Sequence, residues 1–253
     1  MATTLTGEQR LLKESAQRFL EGVVEPRVAK SEASGIFAWD LWPEIAKYGF
    51  IGAVLPTAQG GQGLARVDFA ILMEVAGYHW LGLRALLNVA NMVAGVIARH
   101  GSEAHKAQYL PALLAGERRV WVAITEPNHG SDVNSIETTA KDEGDHFVVD
   151  GAKTLISGAL RADYLLTAVR TGRPGLGGVS LMLIDADSPG IAIGPVRNLG
   201  WYNRNNGSIR FENVRVPADR LIGVENRGFH GLAEQFNIER FSGIAATLAM
   251  ART

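Results

Sequence analysis

The sequence predicts an α+β protein: an N-terminal all-α helical domain, a small antiparallel β-sandwich or barrel, then the start of a C-terminal helical domain. Three observations carry this. From Thr6 to Gly116 apolar residues recur at three- and four-residue spacing, the period of an amphipathic helix. From Val120 short apolar runs replace them, separated by Gly, Pro, Asn and Asp, which is how strands and turns are punctuated. After "VRVPADRLIG" the helical period returns. The expected domains are 1–118, 119–224 and 225–253.

Thr6 and Gln9 form a capping box ahead of Leu12, Ala16, Phe19, Leu20 and Val23, and Pro26 falls near the end of that helix. Asp40–Tyr48 reads as a short helix stopped by Gly49. "PTAQGGQG", Pro56 to Gly63, is a loop, and its glycines leave two readings open: a tight connection, or a close approach to a ligand. Asp68–Trp80 and Leu83–His100 are two longer helices, the second nearly apolar and expected in the core. Ser102 caps a further helix that runs to Leu114, with Gly116 as its stop.

Strands are expected at Val120–Ile124, Phe147–Val149, Tyr164–Val169, Val179–Ile184, Ile191–Ile193 and Ser208–Phe211. No crossover helices lie between them, which argues against a parallel nucleotide-binding sheet. A Gly-rich dinucleotide fingerprint and a Walker motif are also absent. The last helix, Phe229 to Thr253, is apolar at Leu232, Phe236, Ile244, Ala245 and Leu248. Its pattern stops without a cap, and a helix with nothing to pack on is a liability. The expectation is an incomplete chain, or one that needs a partner.

The 253 residues carry 25 basic against 26 acidic side chains, a balance that points to no nucleic-acid or anionic-membrane surface. The lack of cysteine excludes disulfides, thiol catalysis and Cys-ligated metal, and no metal is expected. No window is read as approaching the apolar length of a membrane span. Met1–Thr6 lacks the features of a secretory or transit signal, so a cytoplasmic location is expected.

Several motifs occur in a fixed order: "PTAQGGQG", "GSEAHKAQYLPALLAGE", "AITEPNHGSD", "GAKTLISG", "IRFENVRVPADRLIG" and "GFHGLAEQFNIER". Together they resemble the acyl-CoA dehydrogenase family of flavoproteins over essentially the whole chain. The resemblance implies FAD as cofactor and α,β-desaturation of an acyl-CoA thioester, with α-proton abstraction by a carboxylate and β-hydride transfer to flavin N5. By resemblance Ile124 and Thr125 meet the flavin ring, and Leu155, Ile156 and Ser157 border it. Ser131 sits where FAD and the CoA arm come together. Glu239 is the candidate base, as in the smaller group that places Glu before Arg on the helix after the sheet. Asn237 and Arg240 align with substrate-contacting positions.

Phe236, Ile238, Phe241 and Ile244 are expected to desolvate Glu239 and push its carboxyl up, and Arg240 to oppose this only if it points the same way. Departures from the family pattern are Leu155, where an aromatic residue is common, Asn128 and His129 in the loop, and Arg204 in "GWYNRNNGS". His129 is read as a solvent-exposed turn residue. The resemblance further implies an electron-transfer flavoprotein as acceptor and a homo- or hetero-oligomer when complete. Alternatives are an acyl-CoA oxidase or flavin monooxygenase of the same fold, or a non-catalytic chain completed by a partner.

Overall fold

The computed structural model describes residues 4–200 and 206–251. Helix α1, Gly7–Phe19, starts at the expected box: Gln9 N–H donates to Thr6 Oγ1 at 3.2 Å and Thr6 N–H donates to Gln9 Oε1 at 3.1 Å. The chain does not stop near Pro26. It opens into a π turn over Leu20–Val24 and resumes as α2, Glu25–Ser34, which ends at Gly35 with φ 68°. Pro26 has no N–H to give the carbonyl of Gly22, and its ring crowds that carbonyl. The π turn, with Glu25 N–H on Leu20 O, absorbs the mismatch and lets the helix continue.

Next come α3, Trp42–Tyr48, α4, Arg66–His79, α5, Leu81–His100, and α6, Glu103–Leu114. Gly49 ends α3 at φ 98°, and Ser102 caps α6 by accepting His105 N–H at 3.2 Å. In the glycine-rich loop a Cβ at Gly61 would lie 2.3 Å from the Leu55 carbonyl oxygen, so this glycine serves a tight connection within the protein. One expectation is corrected here: by length and composition α5 can cross a membrane. Yet 83% of its apolar window is buried inside the protein, where it is the central helix of the core.

The strands are β1 Val120–Ala123, β2 Thr139–Asp142, β3 His146–Ile156, β4 Tyr164–Arg170, β5 Val179–Asp185, β6 Ile191–Pro195, β7 Gly207–Pro217 and β8 Leu221–Ile222. Their order is β6-β7-β3-β2-β4-β5-β8, with β1 beside β4. The expected antiparallel pairing holds for β2–β3, β3–β7, β4–β5, β5–β8 and β6–β7, with two departures: β1 runs parallel to β4, with Val120 opposite Tyr164, and β2 meets β4 in parallel at Thr139 and Arg170. The β2–β3 hairpin supplies the long connection that a parallel pair needs. Sequence reading missed β2 because only Ala140 of its four residues is buried, and β8 because it is two residues long.

Strands β4 and β5 are buried on both faces, which is why they read as continuous apolar runs. Leu166, Ala168, Leu181 and Leu183 pack with Val93, Ile97, Leu110 and Leu113 of α5 and α6. Leu165, Val169, Met182 and Ile184 pack the other way on Phe147, Val149, Phe211 and Val214. Trp121 of β1, fully buried, enters the helical core 5.6 Å from the Trp42 ring and ties sheet to helices.

Helix α7, Gly228–Met250, returns across α4 and α5. Two glycines admit it: a Cβ at Gly77 would lie 2.5 Å from Ala246 Cβ, and one at Gly95 would lie 2.5 Å from Gln235 Oε1. Its outer face leaves Phe241, Ile244 and Leu248 exposed.

We expect Gly61→Ala to destabilise the fold by about 1–3 kcal/mol, the range for overpacking. Gly22→Ala, with nothing within 4 Å of the added Cβ, raises stability by about 0.5–1 kcal/mol. Urea midpoints of the two variants check both.

Candidate functional site

The "AITEPNHGSD" segment leaves β1 as a tight turn. Glu126 N–H donates to His129 O at 2.9 Å, and His129 N–H donates back to Glu126 O at 3.3 Å. Beneath the turn lies an ion pair without water access. Lys153 Nζ donates to Glu126 Oε1 at 2.7 Å, and the side chains are 0% and 2% exposed. Lys153 Nζ also reaches the Ile124 carbonyl at 3.1 Å. The Glu126 carboxylate accepts two backbone N–H groups, from Glu137 at 2.6 Å and Thr138 at 2.9 Å. Thr154 N–H adds a bond to the Thr125 carbonyl at 2.8 Å.

Burial pushes the Lys153 ammonium down to about 8, against the pull of Glu126. For Glu126 burial acts upward, but Lys153 and the Glu137 N–H outweigh it, and its carboxyl lies below the usual carboxylate range.

At the end of β3 the backbone departs from the strand. Leu155 has φ 57°, a left-handed conformation that costs a non-glycine residue about 1–2 kcal/mol. It lies in a bulge, where the pairing with β7 shifts register between Lys153 and Ile156. The bulge keeps Lys153 inside while Leu155 is half-exposed at the rim of a cleft.

That cleft, about 270 Å³, gathers most of the residues expected from the sequence. Ile124, Thr125, Leu155, Ile156 and Ser157 line it from the sheet, and Glu239 lines it from α7. Val89 and Met92 of α5, Val122 and Phe236 complete apolar walls, and Glu239 is the one ionisable side chain among the described lining residues. Ser131 is exposed on the loop, next to Gly130, which does line the cleft. Asn237 and Arg240 are exposed on α7 and not among the lining residues; the Arg240 guanidinium lies 5.8 Å from the centre of the Phe236 ring.

The expected desolvation of Glu239 is corrected in part. Phe236 lines its cleft and Ile238 packs on the helical core, but Phe241 and Ile244 turn to the exposed face. Their spacing from Glu239, two and five residues, carries them round the helix. His129 is half-buried rather than exposed, with Nε2 3.3 Å from Glu137 Oε1. Arg204 lies outside the described residues.

Sequence reading missed Glu126, Lys153 and Arg84. Glu126 stands in "AITEPNHGSD" and Lys153 in "GAKTLISG", yet their pairing spans 27 positions. The signal for Arg84 was a charge standing alone between Leu81 and Ala98 of a nearly apolar helix; its Nη2 lies 3.4 Å from Ser242 Oγ on α7.

Lys153→Met strands a buried carboxylate, and we expect a loss of about 3–5 kcal/mol. Because Glu126 is held low in the fold, its contribution is complete above its unfolded value of 4.5 and vanishes as pH falls through the folded value. Stability curves against pH therefore show an acid-side decline that flattens in Glu126→Gln. At Leu155 the glycine variant exceeds the alanine variant by about 1 kcal/mol, because only glycine adopts φ 57° without strain.

Residues 6–117 match the acyl-CoA dehydrogenase N-terminal domain, and residues 122–214 match the middle domain of that family. The mitochondrial isobutyryl-CoA dehydrogenase of Dictyostelium discoideum is 33% identical over 98% of this chain, which spans 60% of that relative. Among solved structures, a probable acyl-CoA dehydrogenase from Mycobacterium abscessus superposes with TM-score 0.91 at 38% identity, covering 96% of this chain and 66% of its own. A glutaryl-CoA dehydrogenase from Mycobacterium smegmatis, in complex with FADH2, gives TM-score 0.91 at 25% identity, covering 98% and 63%.

Proposed function

The chain belongs to the acyl-CoA dehydrogenase family, and on that premise we propose that it provides the flavin floor and the catalytic base of an FAD-dependent acyl-CoA dehydrogenase. Because it spans about 60% of the curated relatives it matches, the activity proposed is that of the whole protein. The observation that carries the reading is the cleft itself: one carboxylate, Glu239, faces apolar walls and the Thr125 and Ser157 positions.

The donor set fits a flavin ring. A flat tricyclic system with a polar edge needs apolar surface on its faces and hydroxyl or backbone partners at that edge. Val122, Ile124 and Leu155 offer the first, and Thr125, Ile156 and Ser157 the second. A volume of about 270 Å³ stands at the small end for ligand sites, about 300–1,000 Å³. It suits the ring rather than the whole dinucleotide. Bound FAD would supply the acceptor for the β-hydride.

The remaining work falls to the chain's own residues. Glu239 Oε is the proton acceptor for the thioester α-carbon, approaching from α7 on the side opposite the sheet. Phe236 and Met92 exclude water from the reacting carbons, so the carboxylate competes with little solvent for the proton. Thr125 is tied through its carbonyl to Thr154, which fixes where its hydroxyl stands. Positioning base and acceptor on opposite sides of the Cα–Cβ bond is the larger part of the task. An acyl-CoA is the proposed substrate, with an electron-transfer flavoprotein as acceptor and an oligomer as the complete form.

The test is anaerobic mixing of the FAD-loaded protein with isobutyryl-, isovaleryl- and straight-chain acyl-CoA, followed at the flavin absorbance. Bleaching is expected with at least one of them, slowed about 10²–10⁴-fold in Glu239→Gln, the usual contribution of a general base. A flavin that binds and never bleaches would overturn the reading.

A further inference from the structure

Glu239 faces a cleft wall of Val89, Met92, Val122 and Phe236. Surroundings of that kind favour the neutral acid, and a protonated Glu239 cannot accept a proton. Arg84 of α5 brings a cation to the turn of α7 that carries it. α5 is apolar along most of its length, but Arg84 and Asn88 form a polar stripe at four-residue spacing, facing Ser242 of α7.

The contact is built in detail. Ser242 Oγ is fully buried, 2.7 Å from Asn88 Oδ1 and 2.9 Å from the Glu239 carbonyl oxygen, and it accepts from Arg84 Nη2 at 3.4 Å. Position 243 is glycine, and a Cβ there would stand 3.0 Å from Arg84 Nη2. The guanidinium therefore lies over the Glu239–Gly243 turn, in space that any side chain at 243 would narrow. Arg84 Nε is buried without a hydrogen-bond partner.

We propose that Arg84 is a positioning residue for Glu239, its guanidinium held over that turn of α7 so that the carboxylate stays ionised while it faces an apolar cleft. Arg84 itself is held below its ordinary value by burial, and the opposing influence is the charge of Glu239.

Several other charged groups on the elements packed against α7 have partners of their own, Asp68 of α4 among them, which accepts from Gln9 Nε2 at 3.0 Å. On α4, Glu74 pairs with Lys13 at 3.3 Å and His79 with Glu25 at 2.7 Å. On α5, Arg99 and His100 both face Glu234. Asp185 of β5 meets Arg220 at 3.1 Å. On α7 itself, Arg240 lies over Phe236.

The inference takes its catalytic meaning from the proposed role of Glu239, but its test needs neither flavin nor substrate. Side-chain carboxyl signals of ¹³C-Glu-labelled chain are titrated by NMR, with Glu239→Gln used to assign the Glu239 resonance. Arg84→Gln is expected to raise the Glu239 midpoint by about one unit or more, the effect of losing a neighbouring opposite charge, and Arg84→Lys to recover most of the shift. Asn88→Ala loosens the same helix seam without a change of charge and leaves the midpoint in place. An unchanged midpoint in folded Arg84→Gln overturns the proposal. If that variant fails to fold, the wild-type Arg84 Nε–H resonance is followed instead; it must shift with the Glu239 midpoint, and a resonance indifferent to that titration overturns the proposal equally. Failure here leaves the base assignment standing, whereas absence of flavin bleaching leaves the titration standing.

Discussion

The Lys153–Glu126 pair is the constraint from which the cleft follows. It joins β3 to the turn after β1 at a place where neither group has solvent. Removing two charges from water is costly, and a buried pair is seldom a net source of stability. Its use here is positional. One ammonium binds the last carbonyl before Thr125, and one carboxylate collects the N–H groups of Glu137 and Thr138. The loop from Thr125 to Thr138 is thus pinned at both ends to one buried point. An apolar substitute would fill the space and leave those backbone groups unpaired.

The second side of the cleft is set by α7, and its placement is a matter of close approach. Gly77 and Gly95 bring it onto α4 and α5, and Ser242 joins it to Asn88. The rotation that buries Leu232, Ser242, Ala246 and Ala249 leaves Glu239 at the cleft and Phe241, Ile244 and Leu248 outward. Sheet and helix therefore meet around a small apolar space, with hydroxyl positions on one side and a carboxylate on the other.

Much of this was legible in the sequence, though not evenly. Helix starts at Thr6 and Ser102 were readable because a cap is a local event, settled within four residues. Ile124, Thr125, Leu155, Ile156, Ser157 and Glu239 were reached through ordered motifs, and they line one cleft. The same motifs carried Asn237 and Arg240, which the structure places on the exposed side of α7. What escaped was long-range or conformational. The partner of Lys153 is 27 residues away, and that of Arg84 is 158. The left-handed backbone at Leu155 leaves no mark in a composition that favours β structure. The π turn before Pro26 looked like a helix end because proline ordinarily makes one.

The central claim is that Glu239 accepts the α-proton of a thioester bound against the loop that Lys153 and Glu126 hold. It is tested most directly without hydride transfer, by incubating the FAD-loaded protein in D2O with a 3-thia acyl-CoA, which has no β-hydrogen to lose, and following α-proton exchange by NMR. The account predicts exchange in wild type and its loss in Glu239→Gln with the analogue still bound. Exchange that persists at the wild-type rate in Glu239→Gln would contradict it and place the base elsewhere.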